Sequence, residues 1–402
     1  MNVVHVAQRY PPAIGGAETW IEGVARATAA RGHGVEVITL RVVDEAALWD
    51  EDAPPAREVA VGPVDRVDGV RIVRCRPSAT PYALLRLAEW GGVRLGGRVS
   101  TELLGRALAA ARRADVVHLH HCNVPAAFLG LAAARLARRP TVLTPYFHFG
   151  DPRFEQPAVR WLLRRADVVI ALSAHEARRL ADEWGVRRVV ASTNALDPAP
   201  WTAAAAPEAR AQVRARLGVA AGEPLLVFLG RKVPEKDLPV LGAAAARLAA
   251  RRPVALALVG PESEWYRGAR GAFAAPGLRL IDLPGIPEPA KRALVAAADV
   301  LVQPSPHESF GLVFLEAWAA GIPVVGAATG TIAEVVGDAG TLFRPGDAAD
   351  LAAAVERLLA HPAEAAATAA RGRARLAQAY CWTRVVEAVE RAYRLARGAE
   401  GR

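Results

Sequence analysis

Thirteen short runs of Val, Ile and Leu alternate with longer Ala/Leu/Arg stretches of helical period, from one end of the chain to the other. In the first half they are "NVVHVA", "GVEVITL", "GVRIVRC", "ADVVHLH", "TVLTPYF", "ADVVIALS" and "RRVVAST"; in the second, "PLLVFLG", "PVALALVG", "LRLIDLP", "ADVLVQP", "IPVVGA" and "GTLFRP". Runs that are apolar throughout, rather than at every second position, make strands covered on both faces, and intervening helices make such a sheet parallel. Each half therefore reads as a doubly wound α/β domain. Asn, Asp and two prolines interrupt the periodicity in "NALDPAPW" (194–201), which places the boundary there. The expected organisation is a domain over 1–195, a second over 196–378, and a terminal helix over 379–402. With no strand after it, "CWTRVVEAVERAYRLARG" is expected to cross back onto the first domain. A chain of 402 residues, 52% of them hydrophobic, can fill two such cores.

Composition removes several classes of function. The formal charge is +9. However, the arginines recur in pairs at the ends of Ala/Leu-rich stretches ("ARRAD", "LARRP", "LLRRAD", "AARRP"), where cations favour helix C-termini and stay solvated. They are not interleaved with aromatic residues, and no helix-turn-helix or RNP pattern is present, so nucleic acid is not an expected partner. No run of about eighteen uninterrupted apolar residues occurs, and "MNVVHVAQRY" opens on a strand rather than a basic signal region. Cys75, Cys122 and Cys381 are scattered without CxxC spacing, as free thiols in a reducing compartment would be. The expected location is the cytoplasm.

Open parallel sheets bind ligands beyond the C-terminal ends of their strands, so two facing domains should share a cleft. In the first domain those ends carry "RYPPAIGGAE", "HHCN" and "YFHFGD"; in the second, "GRKVPEK", "PGIPE" and "PSPHESFG". The last leads into "HESFGLVFLEAWAAGIPVV" (307–325), which holds two carboxylates, Glu308 and Glu316, in an otherwise apolar run. A loop "SPHES", ending at Ser309, should lead into a helix begun by Phe310–Gly311, whose first free amides, near Gly311, Leu312 and Val313, form an anion site suited to a pyrophosphate. Glu308 precedes that N-terminus and Glu316 lies about 7 Å along the axis from Gly311. The two carboxylates would flank an anion, each accepting from hydroxyls on one side, which describes a hexose, a pyrophosphate and a ribose in line. The plain alternative makes Glu308 a helix-dipole partner and Glu316 a solvated position. Solvation fits Glu316 poorly, because its helix is apolar nearly all round.

This stretch resembles the Glu-x7-Glu signature of the family-4 retaining glycosyltransferases, and the resemblance extends over nearly the whole chain through "GGAE", "GRKVPEK" and the closing "CWTRVVEAVERAY". It implies the GT-B fold, two facing Rossmann-like domains, and transfer of a sugar from a UDP-, GDP- or ADP-sugar to a sugar, lipid-linked or small-molecule acceptor with retained configuration. By the resemblance, Glu308 contacts the 3- and 4-hydroxyls of the donor sugar, Glu316 the ribose, and the Pro284–Gly285–Ile286 backbone the base. Arg231 and Lys236 match the phosphate-binding pair; independently, fixed cations beside a helix N-terminus would stabilise the charge developing on a departing nucleoside diphosphate. The plain alternative for Lys236 is a surface lysine. They would replace a metal, and no metal cofactor is expected: the sole Asp-x-Asp triplet, Asp50-Glu51-Asp52, reads as a solvated acidic loop.

Gly15 and Gly16 would let backbone approach a phosphate or the reacting centre. His148, after the "TVLTPYF" strand, matches a histidine that sits at the sugar 6-hydroxyl in relatives. His118, His120 and His121 invite a zinc reading, but no third ligand with an open position is evident, and a polar strand end lining the acceptor side is the expectation. Ala195 stands where relatives often carry glycine, a departure that bears on the linker. "RFEQPAVRWLLRRAD", basic and with Trp161, reads either as a plain surface helix or as a peripheral contact with the inner face of an anionic membrane. Two rival functions are a GT-B nucleotide-sugar 2-epimerase and a non-catalytic nucleotide-sugar or solute-binding protein.

Overall fold

Each of the thirteen apolar runs is a strand in the computed structural model, which describes residues 1–13, 15–42, 62–78 and 95–398. The first sheet contains β1 (Asn2–Val6), β2 (Gly34–Leu40), β3 (Val64–Val67), β4 (Val70–Cys75), β5 (Val116–His120), β6 (Thr141–Thr144), β7 (Val168–Ala171) and β8 (Val189–Ala191), in the order β3-β4-β2-β1-β5-β6-β7-β8. All its pairings are parallel except β3 with β4. The sequence reading missed β3, a short edge strand whose "VDRV" lies largely exposed. The second sheet contains β9 (Leu225–Leu229), β10 (Val254–Val259), β11 (Leu278–Leu283), β12 (Val300–Gln303), β13 (Val324–Ala327) and β14 (Thr341–Phe343), in the order β11-β10-β9-β12-β13-β14, parallel throughout.

Packing divides the chain into two compact units. One is Met1–Asn194 together with Trp382–Arg402; the other is Ala195–Cys381. In the first unit, the helix Trp382–Ala396 turns Val385, Val386, Val389 and Tyr393 inward. Its Glu390 accepts a hydrogen bond from Arg31 Nε at 2.8 Å, and the Trp382 ring lies where a Cβ on Gly23 would sit, 1.8 Å from Cη2. Helix starts are fixed locally: Ser100 and Ser173 accept from the amides of Leu103 and Glu176 at 3.0 and 2.9 Å.

Strand order reverses direction between β1 and β5 in the first unit and between β9 and β12 in the second, and ligands of open α/β sheets bind outside the strand ends at such switch points. The loops that begin there are the ones carrying "GGAE", "HHCN", "GRKVPEK" and "PSPHESFG".

Candidate active site

In the second unit β12 ends at Gln303, and the chain turns through Pro304–Phe310 into the helix Leu312–Ala320. Gly311 caps this helix with φ 88°, where glycine is at ease, and has no side chain to accept from the first turn. A Cβ here would also lie 2.7 Å from the Phe314 ring. The amides of Leu312 and Val313 thus begin an uncapped N-terminus, while Ser309 is half-buried and Phe310 is buried edge-on to Tyr380 at 5.5 Å.

The two glutamates have separate cationic partners. Glu308 Oε1 accepts from Lys236 Nζ at 2.5 Å and from Gln303 Nε2 at 2.7 Å. Glu316 is buried, and its Oε1 accepts from Lys291 Nζ at 2.9 Å. Burial pushes the Glu316 carboxyl above the usual glutamate value, with Lys291 pulling part of that back. Burial opposes the Lys291 charge in turn, but Glu316 and Glu288 outweigh it and hold the ammonium above its ordinary value. A solvated Glu316 is therefore excluded, as its apolar helix implied.

Lys236 closes a 3-10 turn, Pro234–Lys236, after which Asp237 adopts φ 51° and the helix Leu238–Ala249 begins. A non-glycine residue in the left-handed region costs about 1–2 kcal/mol, so the packing around this turn holds it in place. Ser305 Oγ donates to the Glu235 carbonyl at 3.2 Å, joining this turn to the Pro304–Phe310 loop. Arg231 is half-buried just past β9, and Ile286 is half-buried just past β11 with Pro284 and Gly285 exposed before it.

In the first unit, Gly15 caps the helix Gly16–Ala30. A Cβ on Gly15 would lie 2.0 Å from Glu18 Oε2, because Glu18 is buried there in a 2.8 Å ion pair with Arg9. Above Gly16 the space is open, with nothing within 4 Å of where a Cβ would sit. His148 is half-buried beyond β6, its ring 5.0 Å from that of Phe154.

The expectation that His118 and His120 line a strand end is corrected: both are fully buried, together with His5. His5 Nδ1 lies 2.9 Å from His120 Nε2; His118 bonds Tyr393 OH at 2.9 Å and Thr144 Oγ1 at 2.8 Å, and His120 bonds Tyr146 OH at 3.2 Å. The three rings are near enough to suggest a metal, but both nitrogens of His118 and of His120 already serve these bonds. Burial lowers their pKa values, that of His5 to about 3, so the cluster is a neutral core network. His121, just past the end of β5, is half-buried, with φ 63°. Burial pushes the Cys75 thiol up to about 12 and that of Cys122 upward too, which leaves both inert. Asp50, Glu51 and Asp52 lie outside the described residues.

Sequence reasoning missed Lys291 and Gln303. Lys291 reads as one solvated lysine on an amphipathic helix and Gln303 as the last residue of a strand; only folding sets them against the glutamates.

The family described as glycosyl transferases group 1 matches residues 223–361, and the glycosyl transferase 4-like domain matches residues 15–196. A D-inositol 3-phosphate glycosyltransferase of Geodermatophilus obscurus is 32% identical over 407 residues, spanning 94% of this chain and 84% of its own. A glycogen synthase of Mycobacterium tuberculosis is 29% identical over 424 residues, spanning 100% and 96%. The crystal structure of Anabaena HepE in complex with UDP and glucose matches with a TM-score of 0.71 at 21% identity, covering 97% of this chain and 98% of that one. The two parallel-sheet units are those of the GT-B fold. The chain belongs to the group 1 glycosyltransferases, family 4.

Proposed function

We propose that this glycosyltransferase moves a hexosyl group from a nucleotide sugar to an acceptor hydroxyl, with retained anomeric configuration and without a metal ion. The observation that carries the reading is the pair of carboxylates set about an uncapped helix N-terminus, each tied to its own ammonium: Glu308 to Lys236 at 2.5 Å, Glu316 to Lys291 at 2.9 Å. A donor pyrophosphate at that N-terminus would take its negative charge to the Leu312 and Val313 amides, with Arg231 and Lys236 supplying fixed cations. As the bond from the anomeric carbon to phosphate oxygen breaks, charge would grow on the nucleoside diphosphate beside those groups, which is the interaction that lowers the barrier. Glu308 would then meet the sugar hydroxyls, Glu316 the ribose, and the Pro284–Ile286 backbone the base. Binding of UDP and glucose by HepE supports a nucleotide-sugar donor. The acceptor would approach the first unit, at Gly15, Gly16 and His148. We assign a cytoplasmic location with peripheral contact at an anionic membrane face, through Trp161 and its arginines.

The test supplies UDP-, GDP- and ADP-glucose, maltose or inositol phosphate as acceptor, and EDTA. Acceptor-dependent release of nucleoside diphosphate, with an axial anomeric linkage retained from the donor by NMR, supports the proposal. Release at the full rate without acceptor would point to the epimerase instead. Loss of activity with EDTA, restored by Mg²⁺ or Mn²⁺, would overturn metal independence.

A further inference from the structure

Lys232 follows Arg231 in the loop after β9, yet its side chain is fully buried. Its Nζ pairs with Asp282 Oδ1, donates to the Leu283 carbonyl at 3.1 Å, and lies 3.7 Å from Glu262 and 5.1 Å from the centre of the Tyr266 ring. Asp282 is held from its other oxygen by Tyr266 OH at 2.8 Å. The Lys232 amide donates to the Pro261 carbonyl at 2.9 Å, so one residue joins the C-terminal ends of β9, β10 and β11.

The loops behind it are in close register. A Cβ on Gly260 would lie 1.9 Å from the Gly230 carbonyl oxygen, so backbone meets backbone directly beside Lys232. A buried ammonium repays its desolvation only where several acceptors are fixed around it, and an apolar side chain of similar length would often hold a core equally well. What an apolar chain cannot do is orient a carbonyl. The Leu283 carbonyl, the last one before Pro284–Gly285–Ile286, accepts from the Gly260 amide at 3.0 Å and from Lys232 Nζ at 3.1 Å, so the ammonium supplies the second bond that fixes its direction.

We infer that Lys232 is a positioning residue that fixes the root of the 284–286 loop and so sets affinity for the nucleoside part of the donor. This rests on the nucleotide-sugar reading above. Arg231, Lys236 and the helix N-terminus would hold the phosphates independently of it. Loss of the Lys232 ammonium should thus weaken nucleoside diphosphate binding while leaving pyrophosphate binding as it was.

Titration calorimetry with UDP, ADP, GDP and inorganic pyrophosphate on the full chain tests this, alongside melting temperature and steady-state kinetics. For Lys232→Met, the Kd of the preferred nucleoside diphosphate and the donor KM should rise together by about tenfold or more, with pyrophosphate Kd and kcat within about twofold. Asp282→Asn keeps the side-chain shape and should shift the same two constants in the same direction, which covers a Lys232→Met protein that fails to fold. A folded variant with unchanged nucleotide Kd, or with nucleotide and pyrophosphate weakened equally, overturns the assignment. Failure of the wild-type chain to bind any of the three nucleotides overturns the donor reading itself and this inference with it.

Discussion

Glu308 and Glu316 differ in surroundings and should fail differently. Glu308→Gln should lower kcat at least about tenfold, roughly 1.4 kcal/mol of transition-state stabilisation, while nucleoside diphosphate affinity holds or rises because Lys236 loses its competing carboxylate. Glu316→Gln should raise donor KM and nucleoside diphosphate Kd by similar factors and leave kcat nearly unchanged. Equal loss of nucleotide affinity in both variants would sink the division of labour. The raised carboxyl of Glu316 adds a pH signature: donor affinity should weaken as pH falls toward a value above the ordinary glutamate range, and kcat/KM against pH should lose that limb in Glu316→Gln. Both glutamates were legible in the sequence because their spacing across a loop and a helix start is a local property. Their partners were not, since Lys291 and Gln303 meet them through tertiary packing, 25 and 5 residues away along the chain.

Strands and helices follow from periodicity, which explains why every apolar run was found and β3, with two adjacent charges, Asp65 and Arg66, between its valines, was not. The histidine cluster shows where a strand-level reading stops: a polar side chain on a strand lines an open face unless another element covers it, and here Tyr393 of the terminal helix covers His118. The cluster makes the first unit acid-labile. Its folded rings stay neutral while unfolded histidine takes up protons near pH 6.5, so stability is full above that value and is lost as pH falls below it. The loss should steepen as each ring in turn is pulled toward its protonated, unfolded form. Urea midpoints measured between pH 7.5 and 5.5 check this, and a flat profile would contradict it. The terminal helix is tested at Gly23, where Ala would meet the Trp382 ring; Gly23→Ala should cost about 1–3 kcal/mol and lower the melting temperature.

For the molecule as a whole, the formal charge of +9 favours anionic surfaces, and one face of the first unit combines charge with apolar reach. Trp161 is 49% exposed and Leu136 69%; Trp161 stacks on Phe128 with 4° between the planes, and Arg165 lies 5.7 Å over its ring. Among the described residues no helix is long and apolar enough to cross a membrane. Vesicles containing phosphatidylserine should sediment the protein at low salt and release it at high salt, Trp161→Ala should bind less, and neutral vesicles should not bind. Indifference to lipid charge would remove the assignment. The helix that returns at Trp382 also constrains how the chain is made. The first unit is interrupted by residues 195–381, so Tyr393, which covers His118, is translated only after the whole second unit. At about 5–20 residues per second, the intervening 187 residues (381 − 195 + 1) delay that cover by roughly ten to forty seconds. The second unit's core is therefore synthesised in full while the earlier sheet still waits for its covering helix, and a chaperone that shields nascent apolar faces would have its longer engagement with the first unit.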